Sequence, residues 1–339
     1  MGVVGLSGWI QRLYAQHQQS KPSIDWTVYR GKKIGIDILG FLYRAKSRRN
    51  STLAYVARLV AAFRATGIHP VPIFDGKPPD EKQSLLEDRA RQRESASLRC
   101  NRLQCDLLAP GLTDEERTAL LCEVQRLTTA TTYFTGEERE LVKQLFYICG
   151  VKPLNASGEA DNILAYLYKT GEIAAVVSHD MDLLPRGVET LLVPDAYALP
   201  GDASGWVQHS LSDVCKLAGL SYDQFVNQCV LMGCDYTHGL PKVPPRAAHT
   251  LARRCRNLRD ARFLLEGHGI LDATPYERAA RMLKGVDDVP SKLMNERQWK
   301  KWGSIETEPE WDALFGLRST LLRSLSDAEF RTLCAVSYR

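Results

Sequence analysis

No apolar run in the 339 residues approaches the roughly 18 needed to cross a bilayer, so no membrane-spanning helix is expected. The nine cysteines form no Cys-x-x-Cys pair, which leaves zinc or disulfide frameworks behind scattered free thiols in a reducing compartment. The N-terminus, Met1 to Leu6, lacks the basic flank and apolar core of a secretion signal. It carries Gly2, but Leu6 stands where a myristoylation signal needs Ser or Thr. Internal repeats and low-complexity tails are absent. Charge of one sign is lacking too: 44 Lys and Arg against 40 Asp and Glu give +4, which permits a polyanionic partner without demanding one. With 44% apolar and 25% charged residues, one large or two medium globular domains are expected. The expected location is intracellular: nuclear in a eukaryote, otherwise cytoplasmic or at a viral replication site.

The positive signal is acidic. Glu159 and Asp161 precede a helical pattern from Asn162 to Thr170, and Asp180 and Asp182 follow a buried-strand pattern from Ile173 to Val177. Four carboxylates this close repel one another unless a cation sits among them, and a hard divalent ion prefers such oxygen ligands. Either pair alone reads first as a solvated acidic helix start or turn. Earlier in the chain, Lys32–Asp37 is a strand pattern ending in an acid, followed by an apolar helix over Ile38–Ala45 and another over Thr52–Ala65. Val71–Phe74 is a further strand, ending at Asp75, and Thr190–Val193 is another. This βα rhythm predicts a mostly parallel α/β sheet with helices on both faces, where ligands gather at the carboxyl ends of strands. Asp37, Asp75, Asp180 and Asp182 all stand at such ends, and their convergence with Glu159 and Asp161 favours a metal pocket over chance.

A long insertion separates Asp75 from Gly150. Residues 80–105 form a charged helix with Lys82, Arg89, Arg91, Arg93, Arg99 and Arg102, a second helix covers Asp114–Leu127, and a Thr-rich piece leads to a third over Glu137–Ile148. So long a connection between strands is usually functional, although the acids interleaved among the cations equally describe a solvated helix. Helices are expected at Leu211–Leu217 and Tyr222–Met232, the latter leading to Asp235, and a basic helical region begins at Arg246. Residues 285–311 read as irregular, before a last helix over about Asp312–Val336.

With these residues in order, the chain resembles the structure-specific 5′ nucleases of the flap-endonuclease (XPG/Rad2) family over roughly residues 1–255. The likeness rests on Met1-Gly-Val-Val-Gly-Leu6, Ile34-Gly-Ile-Asp37, Phe74-Asp-Gly-Lys-Pro-Pro79, Glu159-Ala-Asp161, Asp180-Met-Asp182 and Met232-Gly-Cys-Asp-Tyr236. The resemblance implies a PIN-like nuclease core in two regions, 1–80 and 151–236. It also implies a helical gateway and cap over 81–150 and a helix-hairpin-helix-like and C-terminal helical region over 237–339. It implies two Mg²⁺ ions, with Mn²⁺ as substitute: Asp37, Asp75, Glu159 and Asp161 would hold the first, and Asp180, Asp182 and Asp235 the second. Lys82 and Arg89 match the basic pair aimed at the scissile phosphate, Tyr43 the aromatic on which a base stacks, and Gly2 the N-terminus that approaches the site. Two cations about 4 Å apart activate a water and stabilise the leaving oxygen, while Lys and Arg stabilise charge developing on the phosphate. Arg91, Arg93, Lys242, Arg246, Arg253 and Arg254 are further candidates for the DNA backbone.

Departures from the family accompany the match. Asp161 is shorter than the Glu of flap endonucleases proper and suits the 5′ exonuclease branch. His179 replaces an acid beside Asp180; a pH-dependent charge is one reading, and a histidine that supports the acids from behind or is simply solvated is the favoured one. The stretch Gly239–Ala248 has prolines where a potassium-binding hairpin calls for glycine, which disfavours a K⁺ site there. No sliding-clamp motif precedes Arg339, in keeping with a viral or reduced family version. The expected substrate is DNA with a 5′ flap, nick or end. Alternatives are a catalytically inactive junction-binding protein, and an RNA-cleaving or four-way-junction-resolving variant. A phosphatase on a similar sheet is disfavoured, because Leu39 stands where its second Asp would be.

Overall fold

The computed structural model describes residues 2–17, 23–47, 51–77, 83–195, 198–202, 205–240, 245–254 and 272–285, with the isolated positions 313 and 317. The irregular region expected at 285–311 and the last expected helix fall almost wholly outside them. A six-stranded sheet has the order β3-β2-β1-β4-β5-β6. Its strands are β1 (Lys33–Asp37), β2 (His69–Phe74), β3 (Leu154–Asn155), β4 (Ala175–Val177), β5 (Thr190–Pro194) and β6 (Trp206–Ser210). All neighbours pair parallel except β5 with β6. In the centre, Ile34 lies beside Ala175 and Ile36 beside Val177. Because parallel strands are covered on both faces, they read as unbroken apolar runs. Ile34, Ile36, Val176 and Val177 are fully buried.

Alternation along the strands divides the core in two. Ile34, Ile36, Val177 and Leu192 face α2 (Ile38–Ser47), α3 (Thr52–Thr66) and α6 (Gly136–Ile148). Val71, Ile73, Val176 and Leu191 face α1 (Leu6–Gln16), α7 (Ala160–Lys169), α8 (Leu211–Ala218) and α9 (Tyr222–Met232), with α10 (Pro245–Arg254) and α11 (Thr274–Lys284) outside them. Among the described residues no helix is long and apolar enough to cross a membrane. The seven described cysteines are free thiols.

The insertion after β2 is a hairpin of α4 (Gln83–Asp106) and α5 (Asp114–Thr131), which pack chiefly on each other. Thr113 and Glu116 form a capping box that starts α5. The helix runs past its expected end at Leu127 into the Thr-rich stretch. There Thr128 and Thr129 donate their hydroxyls to the carbonyls of Val124 and Gln125 at 2.8 and 3.0 Å, so their polarity costs the helix little. At the base of the insertion, Lys46 donates to Glu138 at 2.5 Å and to the Tyr133 carbonyl at 2.7 Å, tying α2 to the start of α6.

Two strands escape the sequence pattern. β3 is only two residues long. β6 carries Gln208 and His209 at inner positions, and each has a phenolic neighbour: Tyr29 donates to Gln208 at 2.9 Å, and Tyr14 Oη lies 3.4 Å from His209 Nδ1. Ile36→Ala, in the middle of β1, is expected to cost about 2–5 kcal/mol in denaturant unfolding through lost burial and a cavity. A loss below roughly 0.5 kcal/mol would contradict a close-packed centre at β1.

Candidate active site

Four adjacent strands deliver six carboxylates to one edge of the sheet. β1 ends at Asp37, β2 leads to Asp75, β3 leads to Glu159 and Asp161, and β4 leads to Asp180 and Asp182. Ser178 ties two of these ends together. Its hydroxyl donates to Asp37 Oδ2 at 2.9 Å and accepts the Asp180 N–H at 2.9 Å. Asp75 Oδ1 accepts the Ala160 N–H at 2.7 Å. It thereby caps α7, whose own N-cap residue, Glu159, makes no side-chain cap bond. The positive end of α7 therefore faces the acids. This junction needs glycine at position 76, because a β-carbon there would overlap the Ala156 carbonyl oxygen and lie 2.7 Å from that of Ser157. The Gly76 N–H donates across the gap to the Gly158 carbonyl at 2.7 Å.

Asp180 accepts the Asp182 N–H at 2.9 Å and starts a single 3₁₀ turn, Met181–Leu183, that turns Asp182 inward to 4% exposure. The Val3 N–H donates to Asp182 Oδ1 at 2.5 Å. Gly2 has φ +60°, and a β-carbon there would overlap Asp182 Oδ1 and stand 2.7 Å from Asp180 Oδ1. The chain start thus lies directly against these two carboxylates. Asp235 follows α9 and meets Arg89 of α4, whose Nη2 is 3.8 Å from Asp235 Oδ1.

Burial and mutual repulsion raise the proton affinity of this group. Asp37 is pushed up to about 7 by burial and by Asp75 and Asp180, although the Ser178 hydroxyl opposes the shift. Asp182 is pushed up to about 8 by burial and Asp180, against the Val3 N–H and Arg186. Asp161 is raised well above the usual carboxylate range by burial, with Asp180, Asp37 and Asp75 adding to it and Arg186 opposing. Each shift comes first from burial of the carboxylate and then from the nearness of its acidic neighbours.

Arg186 has no counterpart among the sequence expectations. In Leu184-Pro185-Arg186-Gly187 it reads as an exposed turn cation, yet it is 2% exposed. Its Nη2 donates to Tyr236 Oη at 2.7 Å and lies 3.4 Å from Glu159 Oε2, and its Nη1 donates to Asn162 Oδ1. The sequence clue lies in its neighbours, since an unpaired cation between Leu183-Leu184 and Val188 needs acids brought from elsewhere in the chain.

The other expected residues are spread around this ring. Tyr43 is half-buried on α2, its ring 6.2 Å from that of Phe134. Arg91 is exposed and paired with Asp88, and Arg93 lies 5.6 Å from the Tyr133 ring. Arg246 lines a cleft of about 280 Å³ with Arg12, Gln16, His249 and Thr250, between α1 and α10. Arg253 and Arg254 are exposed at the far end of α10. Lys82 and Lys242 lie outside the described residues. His179 is half-buried just past the end of β4. Burial, with help from Arg44, pushes it down to about 3, so it stays neutral and offers the pocket no charge switch near neutral pH. Its ring packs 4.9 Å from that of Phe41.

Oxygen donors alone make up the ring, a set suited to hard divalent cations, and the raised proton affinities are what such a cation would relieve. Among the described residues no three acidic, histidine or cysteine side chains are gathered tightly enough to hold one ion. Protein donors engage the carboxylates instead.

The XPG N-terminal domain family model matches residues 1–96, and the XPG I-region model matches residues 150–235. Flap endonuclease 1 of Entamoeba dispar is 28% identical over 303 residues, covering 85% of this chain and 76% of its own length. Among solved structures, the catalytic core of Rad2 in complex with DNA substrate aligns with a TM-score of 0.66 at 15% identity, covering 98% of this chain and 100% of that one. The Holliday junction-resolving enzyme GEN1, in complex with product DNA, Mg²⁺ and Mn²⁺ ions, aligns with a TM-score of 0.56 at 17% identity, covering 93% of this chain and 69% of that one. These structural likenesses establish the shared fold.

The proton affinities give a testable pH dependence. In the unfolded chain an aspartate titrates near 4. Asp37 and Asp182 hold their protons to about 7 and about 8 when folded. Between those limits the folded state binds more protons than the unfolded state, so their contribution to stability falls as pH rises through the window. A divalent cation stabilises the ionised form and displaces the protons. The rise in melting temperature on replacing EDTA with MgCl₂ is therefore expected to be larger at about pH 8.5 than at about pH 5.5. An equal rise at both would contradict the shared ring.

Proposed function

The chain belongs to the XPG/Rad2 flap-endonuclease family, and we propose that its acidic ring is the centre at which it hydrolyses DNA phosphodiesters near 5′ single-strand/duplex junctions. The observation that carries this reading is the delivery of Asp37, Asp75, Glu159, Asp161, Asp180 and Asp182 by four neighbouring strand ends, with Asp235 closing the group. Asp37, Asp75, Glu159 and Asp161 would hold one cation and Asp180, Asp182 and Asp235 the other, once their side chains close around it. Two divalent cations, Mg²⁺ with Mn²⁺ as substitute, would supply neutralisation of the phosphodiester and an activated water when bound there. Gly2 leaves room at Asp180 and Asp182 that any side chain would fill. Arg89 holds its guanidinium at the mouth of the ring, beside Asp235. Its role in this reading is to stabilise charge on the scissile phosphate, a role the sequence also assigns to Lys82. We read residues 81–150 as a gateway for the single-stranded 5′ end, in which Arg93 and Tyr133 form a cation and an aromatic face suited to stacking. The cleft bearing Arg12 and Arg246 is a backbone contact for duplex, with Arg253 and Arg254 further along α10.

Labelled 5′-flap, nicked, blunt and RNA substrates, incubated with MgCl₂, test the reading. The protein is expected to cut the 5′-flap DNA at the junction, and Asp180→Ala to lower the rate by at least about a hundredfold. Equal cleavage by both proteins would overturn the catalytic assignment. Junction binding without cleavage of any substrate would leave a binding protein in its place.

A further inference from the structure

Arg186 differs from the hairpin and α10 arginines in lying inside the protein, at 2% exposure. Burying a guanidinium costs several kcal/mol unless its donors are matched; here both terminal nitrogens have acceptors, while Nε has none among the described residues. Those partners come from three segments that each bear ring carboxylates. The first is the start of α7, through Asn162 and Glu159. The second is Arg186's own turn after β4, where its main-chain N–H, not the guanidinium, donates to the Asp182 carbonyl at 3.2 Å. The third is the loop after α9, where Tyr236, next to Asp235, accepts from Nη2 at 2.7 Å. Tyr236 in turn donates its hydroxyl to Glu159 Oε2 at 2.8 Å, and its ring centroid lies 5.9 Å from the guanidinium carbon. The planar fork suits this task, since it can address several acceptors in one plane.

We propose that Arg186 is a positioning residue for the acidic ring: from the turn that carries Asp180 and Asp182, its guanidinium clamps the Glu159/Asp161 and Asp235 segments before any cation arrives. The clamp accounts for how the segments bearing the carboxylates are held near one another without ions, although no three of the described acids are yet close enough to hold one. It supplies a permanent positive charge between them and a rigid link from Glu159 to the neighbour of Asp235. Segments held near one another in advance leave the arriving cation only the closing of side chains, not the drawing together of loops. This proposal rests on the reading of the ring as a cation site, and the test separates the two.

Mn²⁺ binding to the DNA-free protein, followed by the paramagnetic resonance of the free ion, is compared for wild type, Arg186→Met, Arg186→Lys and Tyr236→Phe. Far-UV circular dichroism establishes that each variant is folded. The clamp predicts that Met and Lys at 186 both weaken Mn²⁺ binding about tenfold or more, because one ammonium cannot span Asn162, Glu159 and Tyr236 together. Tyr236→Phe removes one donor to Glu159 while keeping the guanidinium, and is expected to lose about threefold. Wild-type affinity in Arg186→Lys would mean that charge alone suffices and would overturn the clamp, as would unchanged or tighter binding in Arg186→Met. If Arg186→Met does not fold, unchanged binding by Tyr236→Phe overturns the proposal. Absence of Mn²⁺ binding by the wild type would instead sink the cation-site reading beneath it.

Discussion

Carboxylates that face one another with little water between them are the constraint on which the rest of this site depends. At a few ångströms, in a partly buried setting, each like-charge contact costs on the order of several kcal/mol. The chain answers with dedicated donors: the Ser178 hydroxyl for Asp37, the Ala160 N–H for Asp75, the Val3 N–H for Asp182, and Arg186 with Tyr236 for Glu159. Even so, Asp37 and Asp182 hold protons to about 7 and about 8. The residual repulsion is what a divalent cation would exploit, since it gains from every oxygen the fold has already brought close.

The topology places the acids where such a cation can be useful. β1 lies between β2 and β4, so the parallel strands are added outward on one side of β1 and then on the other, and open α/β sheets gather ligands at such switch points, here beside Asp37. Close approach then becomes a sequence requirement. Gly76 lets the loop after β2 lie against the start of α7, and Gly2 lets the chain start reach Asp180 and Asp182. Above this edge stands the α4–α5 hairpin, whose helices pack chiefly on each other and carry Arg89 to Asp235. An element with so little purchase on the main core has a small free-energy cost for moving relative to it, which fits a gateway that must admit nucleic acid.

Much of this was legible in the sequence, and the reasons are physical. A buried parallel strand is a short apolar run, and the residue after it sits at the ligand edge, so Asp37, Asp75 and Asp180 stood out. The α9 helix over Tyr222–Met232 was recoverable from its periodicity. β3 escaped because two residues form no pattern, and β6 because Gln208 and His209 are polar residues whose tyrosine neighbours come from far along the chain. Arg186 escaped for the same reason at greater consequence. A cation between Pro185 and Gly187 looks like a turn residue until Glu159, Asn162 and Tyr236 are folded around it. His179 shows the converse: a histidine beside an acid invites a switch, while burial against Phe41 removes its charge.

Anomalous diffraction from crystals soaked in MnCl₂ tests the central claim most directly, because it locates cations independently of any substrate or rate. The account predicts two manganese peaks about 4 Å apart, one against Asp37, Asp75, Glu159 and Asp161 and the other against Asp180, Asp182 and Asp235. Peaks confined to surface carboxylates, with none inside the ring, would contradict it.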